Sequence, residues 1–209
     1  MEAISSKHLL TNLLLIFASS FSTLCANTGI ERPHQEANTV FIRTSCSSTT
    51  YPRLCYSSLV RQAELIQTNR VLLTGAALNV TLASAKSTAA VVSMMAKRQG
   101  LKPREVAAMK DCVEVLSDSV DELRRSIDGM IHLRTSNFEM TMSDVQTWVS
   151  AALTDENTCT DGFQESPTAA AAATIGGTNT KTRVRGLVVQ VAQLTSNALA
   201  LINQLANQG

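Results

Sequence analysis

Apolar residues recur every three or four positions along most of this chain, and that rhythm divides it into helices. Val106, Met109, Val113, Leu116, Val120, Leu123, Ile127 and Met130 form one series. Val184, Leu187, Val191, Leu194, Ala198, Leu201 and Leu205 form another. Alternating steps of three and four put each series on one stripe of an α-helix, as in long helices packed side by side. A third stripe holds Met142, Val145, Val149, Ala152, Cys159 and Phe163, interrupted at Glu156. A fourth reads Leu78, Leu82, Ala85, Ala89 and Val92 and stops at Gly100, while Pro103 suits the opening turn of the first series. Four long helices with short connections predict an all-α fold, an up-down-up-down four-helix bundle over about residues 70–207.

The segments outside this rhythm have their own signatures. Lys7, an apolar run around Leu13 to Phe17 and the small or polar residues after it make residues 1–26 a secretory signal peptide, with cleavage after Cys25 or Ala26. Ser and Thr interrupt the run before the roughly 20 apolar residues a membrane span needs, and no later segment is expected to span. Residues 27–39 read as a flexible leader and 40–209 as the folded domain. Within it, residues 44–68 predict a small helical hairpin, with Pro52 opening a helix that Ser57 to Gln67 continue. Ser166 to Asn179, with Pro167 and Gly176-Gly177, reads as a linker into the last helix.

A secreted chain changes the meaning of the cysteines. Cys25 leaves with the signal, and the remaining Cys46, Cys55, Cys112 and Cys159 are an even number in an oxidising compartment, which points to disulfides. The connection between the second and third bundle helices lies near Arg134 to Asn137, and Cys112 and Cys159 flank it almost symmetrically. In antiparallel helices they stand at the same height, which pairs Cys112 with Cys159 and leaves Cys46 to Cys55, enclosing SSTTYPRL.

Composition adds little beyond exclusions. The chain has 209 residues, a formal net charge of +1 and only 4% aromatic residues, so no electrostatic case arises for nucleic acid. Of three histidines, His8 falls in the signal, His34 in the leader, and His132 at a helix end, where it suits capping of carbonyls. Hydrolase, metalloprotease, phosphate-loop and dinucleotide motifs are absent, and the cysteines lack zinc-ligand spacing. The expectation is therefore no catalytic residue, no cofactor and no metal. Asp155, Glu156 and Asp161 on the third helix, with Glu114 and Asp118 on the second, read either as a solvated acidic face or as a face that contacts another protein. Asn79-Val80-Thr81 is an N-glycosylation sequon, one position off the core stripe.

One stretch carries a resemblance. TWVSAALTDENTCTDGF (Thr147 to Phe163), with the Cys46–Cys55 spacing, the intervening YPRLC and the C-terminal LTSNALALINQL, resembles the plant pectin methylesterase inhibitor and invertase inhibitor family, closest to its pectin methylesterase branch. The resemblance covers about Val40 to Gly209 and implies a four-helix bundle with an N-terminal hairpin and two sequential disulfides. It implies a secreted, cell-wall (apoplastic) inhibitor, a monomer that forms a one-to-one complex with pectin methylesterase and covers its pectin-binding cleft. Acid invertase is the alternative partner. The family's Thr-Cys pair corresponds to Thr158-Cys159 and its nearby acidic position to Asp161. The acidic position two residues after the second-helix cysteine corresponds to Glu114, with Asp118 a turn later. Thr160 stands where many members carry Glu. The partner-binding set implied is Glu114, Asp118, Ser150, Ala151, Thr154, Thr158 and Asp161, and proton sharing with partner carboxylates would favour a complex in the mildly acidic wall.

Overall fold

A computed structural model describes residues 33–163 and 177–207. The signal-peptide reading of residues 1–26 and most of the 166–179 linker lie outside the described residues. Contacts divide the chain between Glu36 and Ala37, and the packing below is that of the second unit, Ala37–Gly209.

The described residues are almost entirely helical, and the helix ends follow local chemistry. α1 spans Pro33–Cys46, α2 Pro52–Leu59 and α3 Ala63–Ile66, with a 3-10 turn at Val60–Gln62 between the last two. The long helices are α4 (Arg70–Ala96), α5 (Pro103–Ile131), α6 (Phe138–Asp161) and α7 (Gly177–Ala206), with a second 3-10 turn at Thr135–Asn137. Gln67, at φ 53°, breaks the chain between α3 and α4. Asn69 then caps α4 by accepting from the Leu72 amide at 3.1 Å. Pro103 opens α5, and Glu105 reaches back to accept from the Lys102 amide at 3.0 Å. His132 caps the other end of α5, its Nδ1 lying 2.8 Å from the Asp128 carbonyl, as the sequence suggested.

α4 packs against α5 and α7, and α6 against the same two helices, which closes a four-cornered bundle. The side-chain pairs fix an antiparallel arrangement. Ascending α5 from Cys112 to Ser119 matches descending α6 from Cys159 to Glu156, and Glu156 and Gln146 meet Thr195 and Asn203 of α7. The predicted stripes are the core: Met109, Leu116, Leu123, Met142, Val145, Val149, Val191, Ala198 and Leu201 are all nearly inaccessible. Both predicted disulfides are present, with Cα separations of 5.6 Å for Cys46–Cys55 and 4.5 Å for Cys112–Cys159.

Three expectations need correction. Helix, not a flexible leader, occupies residues 33–39, because α1 starts at Pro33. The hairpin docks on the bundle: Leu59 and Ile66 enter the main core, and Asn197 of α7 exchanges two hydrogen bonds with the Tyr51 backbone at 2.9 and 3.0 Å. α4 ends at Ala96, and Gly100 takes φ +88° in the loop beyond it, where a side chain would be strained. Finally, residues 180–206 of α7 are long and apolar enough to cross a membrane, contrary to the expectation that no later segment would be. In the bundle, that apolarity is one wall of the core, and half of the apolar window is buried.

Candidate functional site: the α5–α6 face

The antiparallel α5–α6 pair carries every residue in the implied partner-binding set. Glu114 and Asp118 are exposed on α5, one turn apart. Ser150, Thr154 and Thr158 are exposed at four-residue intervals along α6, with Asp161 exposed in its last turn and Ala151 half-buried. The threonine hydroxyls turn back on their own helix, Thr154 donating to the Ser150 carbonyl at 3.0 Å and Thr158 to the Thr154 carbonyl at 2.8 Å. Their hydrogens are thus occupied, and what they turn outward is methyl groups and oxygen lone pairs. Thr160 is 9% exposed and donates to the Asn157 carbonyl at 2.8 Å.

The structure gathers only part of this set. Glu114 and Asp161 lie two residues from their cysteines, but in opposite axial directions, because the helices are antiparallel. At about 1.5 Å per residue they are roughly 6 Å apart along the bundle, and Asp118 and Asp161 roughly 12 Å. Asp118 belongs instead to a cluster with Glu122 and Asp155, which interact electrostatically across the α5–α6 seam. Burial is the main reason the Glu122 carboxyl is pushed up to about 7, with the charge of Asp155, a hydrogen bond to it and the charge of Asp118 adding to the rise. Asp155 is also raised, chiefly by burial and by Asp118. Glu122 therefore holds its proton to a higher pH than an ordinary carboxyl does. The sequence reading missed Glu122, although its position one turn after Asp118 places it on the same side of α5.

Glu156 does not belong to a solvated acidic face. It is 0% exposed, and its Oε1 accepts from Ser119 of α5 at 2.8 Å and from Thr195 of α7 at 2.9 Å. Burial raises its carboxyl to about 7, against the opposing effect of those two hydroxyl bonds. The spacing Ala152–Glu156–Cys159 continues the core stripe, and this was the available sign of burial.

Other features lie away from this face. An open depression of about 800 Å³ sits where the α5–α6 turn meets the start of α4, lined by Val71, Leu133, Phe138 and Met140 among others. It contains none of the face residues and lies at the end of the bundle, not between its helices. Asn79 is exposed in the middle of α4, its Nδ2 donating to the Gly75 carbonyl at 2.8 Å. Among the described residues, no three His, Cys, Asp or Glu side chains are grouped to hold a metal ion.

The fold and the site define a class: an all-helical bundle in which a disulfide joins two antiparallel helices along one polar face. Residues 40–201 match the family of plant invertase/pectin methylesterase inhibitors. The chain is 46% identical over 175 residues to pectinesterase inhibitor 10 of Arabidopsis thaliana, an alignment covering 82% of this chain and 53% of that protein. It is 45% identical to the 21 kDa protein of Daucus carota, covering 79% and 83%, and 37% identical to Arabidopsis pectinesterase inhibitor 3, covering 93% of each. It spans about half the length of the first of these relatives and most of the other two. The crystal structure of a mutant form of an Arabidopsis pectin methylesterase inhibitor shares the fold, with a TM-score of 0.58 at 22% identity over 78% of this chain and 95% of that one. The chain belongs to the plant invertase/pectin methylesterase inhibitor family and is an inhibitor protein, not an enzyme.

Proposed function

We propose that this protein inhibits pectin methylesterase in the cell wall, as a secreted monomer that forms a one-to-one complex and covers the pectin-binding cleft with its α5–α6 face. The observation that carries the choice of enzyme is the identity of 37–46% to proteins named pectinesterase inhibitors, and acid invertase is the alternative. The face suits the role physically. Two helices joined at Cys112–Cys159 lose little freedom on docking, which reduces the entropic cost of association. Ser150, Ala151, Thr154 and Thr158 permit close approach, while Glu114, Asp118 and Asp161 provide acceptors. Glu122 and Asp155 extend the acidic part of that face, and their tendency to hold a proton favours contact with partner carboxylates at acidic pH.

The test is titration of the disulfide-intact protein into a plant pectin methylesterase, and in parallel into an acid invertase, at about pH 5.5. Stoichiometric loss of esterase activity alone is expected. Loss of invertase activity alone would move the protein to the other branch, and no effect on either enzyme would refute both assignments.

A further inference from the structure

Charge on this molecule is segregated, although the net value of +1 conceals it. At the bundle end formed by the α4–α5 loop and the starts of α5 and α7, Lys97, Arg98, Lys102, Arg104, Arg183 and Arg185 are all exposed. These six are a third of the 18 lysines and arginines in the chain. Two observations bring the segments together. Val92, Met95, Met109, Val184 and Val188 share one apolar cluster beneath them, and Lys181 reaches Glu105 across the α5–α7 seam at 4.0 Å. Glu105 is committed to that contact and to the Lys102 amide, and among the described residues none of the six cations is ion-paired. Asp161, at the end of α6, is the nearby acid on the remaining helix.

We propose that this basic end binds a linear polycarboxylate, the demethylesterified form of pectin, separately from the acidic α5–α6 face. The inference rests on the proposed function in one respect, the identity of the polyanion. Hydrolysis of a galacturonate methyl ester consumes water and yields methanol, a proton and a carboxylate, so the substrate polymer is neutral and the product polymer is anionic. A row of carboxylates suits exposed guanidinium and ammonium groups that have no ion-pair partner among the described residues, arginine pairing with carboxylate through its planar fork. Binding releases counterions from the polymer, so its affinity falls steeply with salt. The inhibitor would thus concentrate where esterase has already acted.

The experiment measures binding of the disulfide-intact chain, without esterase, to polygalacturonate and to highly methylesterified pectin over a salt series. Polygalacturonate is expected to bind at low salt and the esterified polymer roughly tenfold or more weakly, with log affinity falling linearly in log salt. Arg183→Glu/Arg185→Glu and Lys97→Glu/Arg98→Glu should each weaken polygalacturonate binding roughly tenfold, whereas Arg61→Glu, on the hairpin, should not. Equal binding of both polymers, equal loss in Arg61→Glu, or tighter binding to anionic lipid vesicles than to polygalacturonate would overturn the proposal. Inhibition of esterase on the esterified substrate is measured on the same variants. Its retention while polygalacturonate binding is lost separates this surface from the inhibitory one, so failure of either reading is visible by itself.

Discussion

Ser119 donates its hydroxyl hydrogen to Glu156 Oε1 over 2.8 Å, joining α5 to α6 where no solvent reaches. Thr195 brings α7 to the same oxygen. Its one hydrogen also lies within reach of the Val191 carbonyl at 3.1 Å, and a protonated Glu156 relieves that competition by donating to one of the hydroxyls. The carboxyl titrates near 7 in the fold against an ordinary value of 4.5. Below 4.5 both folded and unfolded chains hold the proton and the stabilisation is complete. Between 4.5 and 7 only the folded chain holds it, so stability falls as pH rises, and above 7 the loss is complete. The protein should melt at a higher temperature at pH 5 than at pH 8, with Glu156 responsible for on the order of 2–3 kcal/mol. Glu156→Gln keeps the shape and the hydroxyl partners without a charge. Its melting temperature should vary less with pH and exceed the parent's at pH 8; parallel pH curves for the two proteins would contradict the assignment.

The Glu122–Asp155 pair predicts a second titration. Removing the Asp155 charge by Asp155→Asn takes away one cause of the Glu122 shift but leaves its burial, the largest cause. Carboxyl-carbon NMR should therefore show the Glu122 midpoint falling from about 7 while staying above its ordinary value of 4.5. An unmoved midpoint would mean the two groups are not coupled.

Gly129 of α5 faces α6 with little room for a side chain. A Cβ there would meet Val145 Cγ2 at 3.0 Å and Trp148 Cζ3 at 3.4 Å, whereas a Cβ on Gly186 of α7 meets nothing within 4 Å. Alanine in place of glycine favours a helix interior by about 1 kcal/mol. At Gly129 this gain opposes an overpacking cost of about 1–3 kcal/mol, because the buried, β-branched Val145 has little room to move. Gly186→Ala should stabilise the protein and Gly129→Ala should destabilise it, read as opposite shifts of the urea midpoint.

The two disulfides should differ in worth. Their sequence separations are 47 residues for Cys112–Cys159 and 9 for Cys46–Cys55. The loop-entropy model assigns about 4 kcal/mol to the first and about 2.6 kcal/mol to the second. Equilibrium unfolding of the two paired Cys→Ser variants should preserve that order. The long bridge also joins the two helices of the candidate face, so its loss should weaken esterase inhibition more than loss of the hairpin bridge.

Charge reversal tests the face directly. Glu114→Lys and Asp118→Lys alter exposed side chains and should leave the melting temperature within about 1–2 °C of the parent, since such substitutions usually change stability by under 0.5 kcal/mol. Each should weaken esterase inhibition by roughly tenfold or more, the usual scale for a charged group at an interface core. Unchanged inhibition in both would move the contact surface elsewhere on the bundle.

Much of this architecture was legible before any coordinates. Steps of three and four place Met109, Leu116 and Leu123, or Val191, Ala198 and Leu201, on one stripe because an α-helix has 3.6 residues per turn. The same geometry paired Cys112 with Cys159, since antiparallel helices put residues equidistant from their turn at one height. Local chemistry also located Pro103 at the start of α5 and His132 at its end. The helical start at Pro33, inside the presumed leader, was not legible: its polar first turn carries no strong periodic signal.

Side-chain fate across the seams was decided only by the tertiary structure. Glu156 reads as a break in a core stripe until Ser119 and Thr195 arrive from two other helices, remote in sequence, to bind it. Asp118 and Asp161 look like one acidic patch around a disulfide, yet opposite chain directions carry them apart and bring Glu122 and Asp155 to Asp118. The sequence determines which face of each helix is buried, because that depends on spacing within one segment. Which polar groups meet, and therefore which carboxyl groups keep their protons, depends on the register between segments, and packing alone sets that.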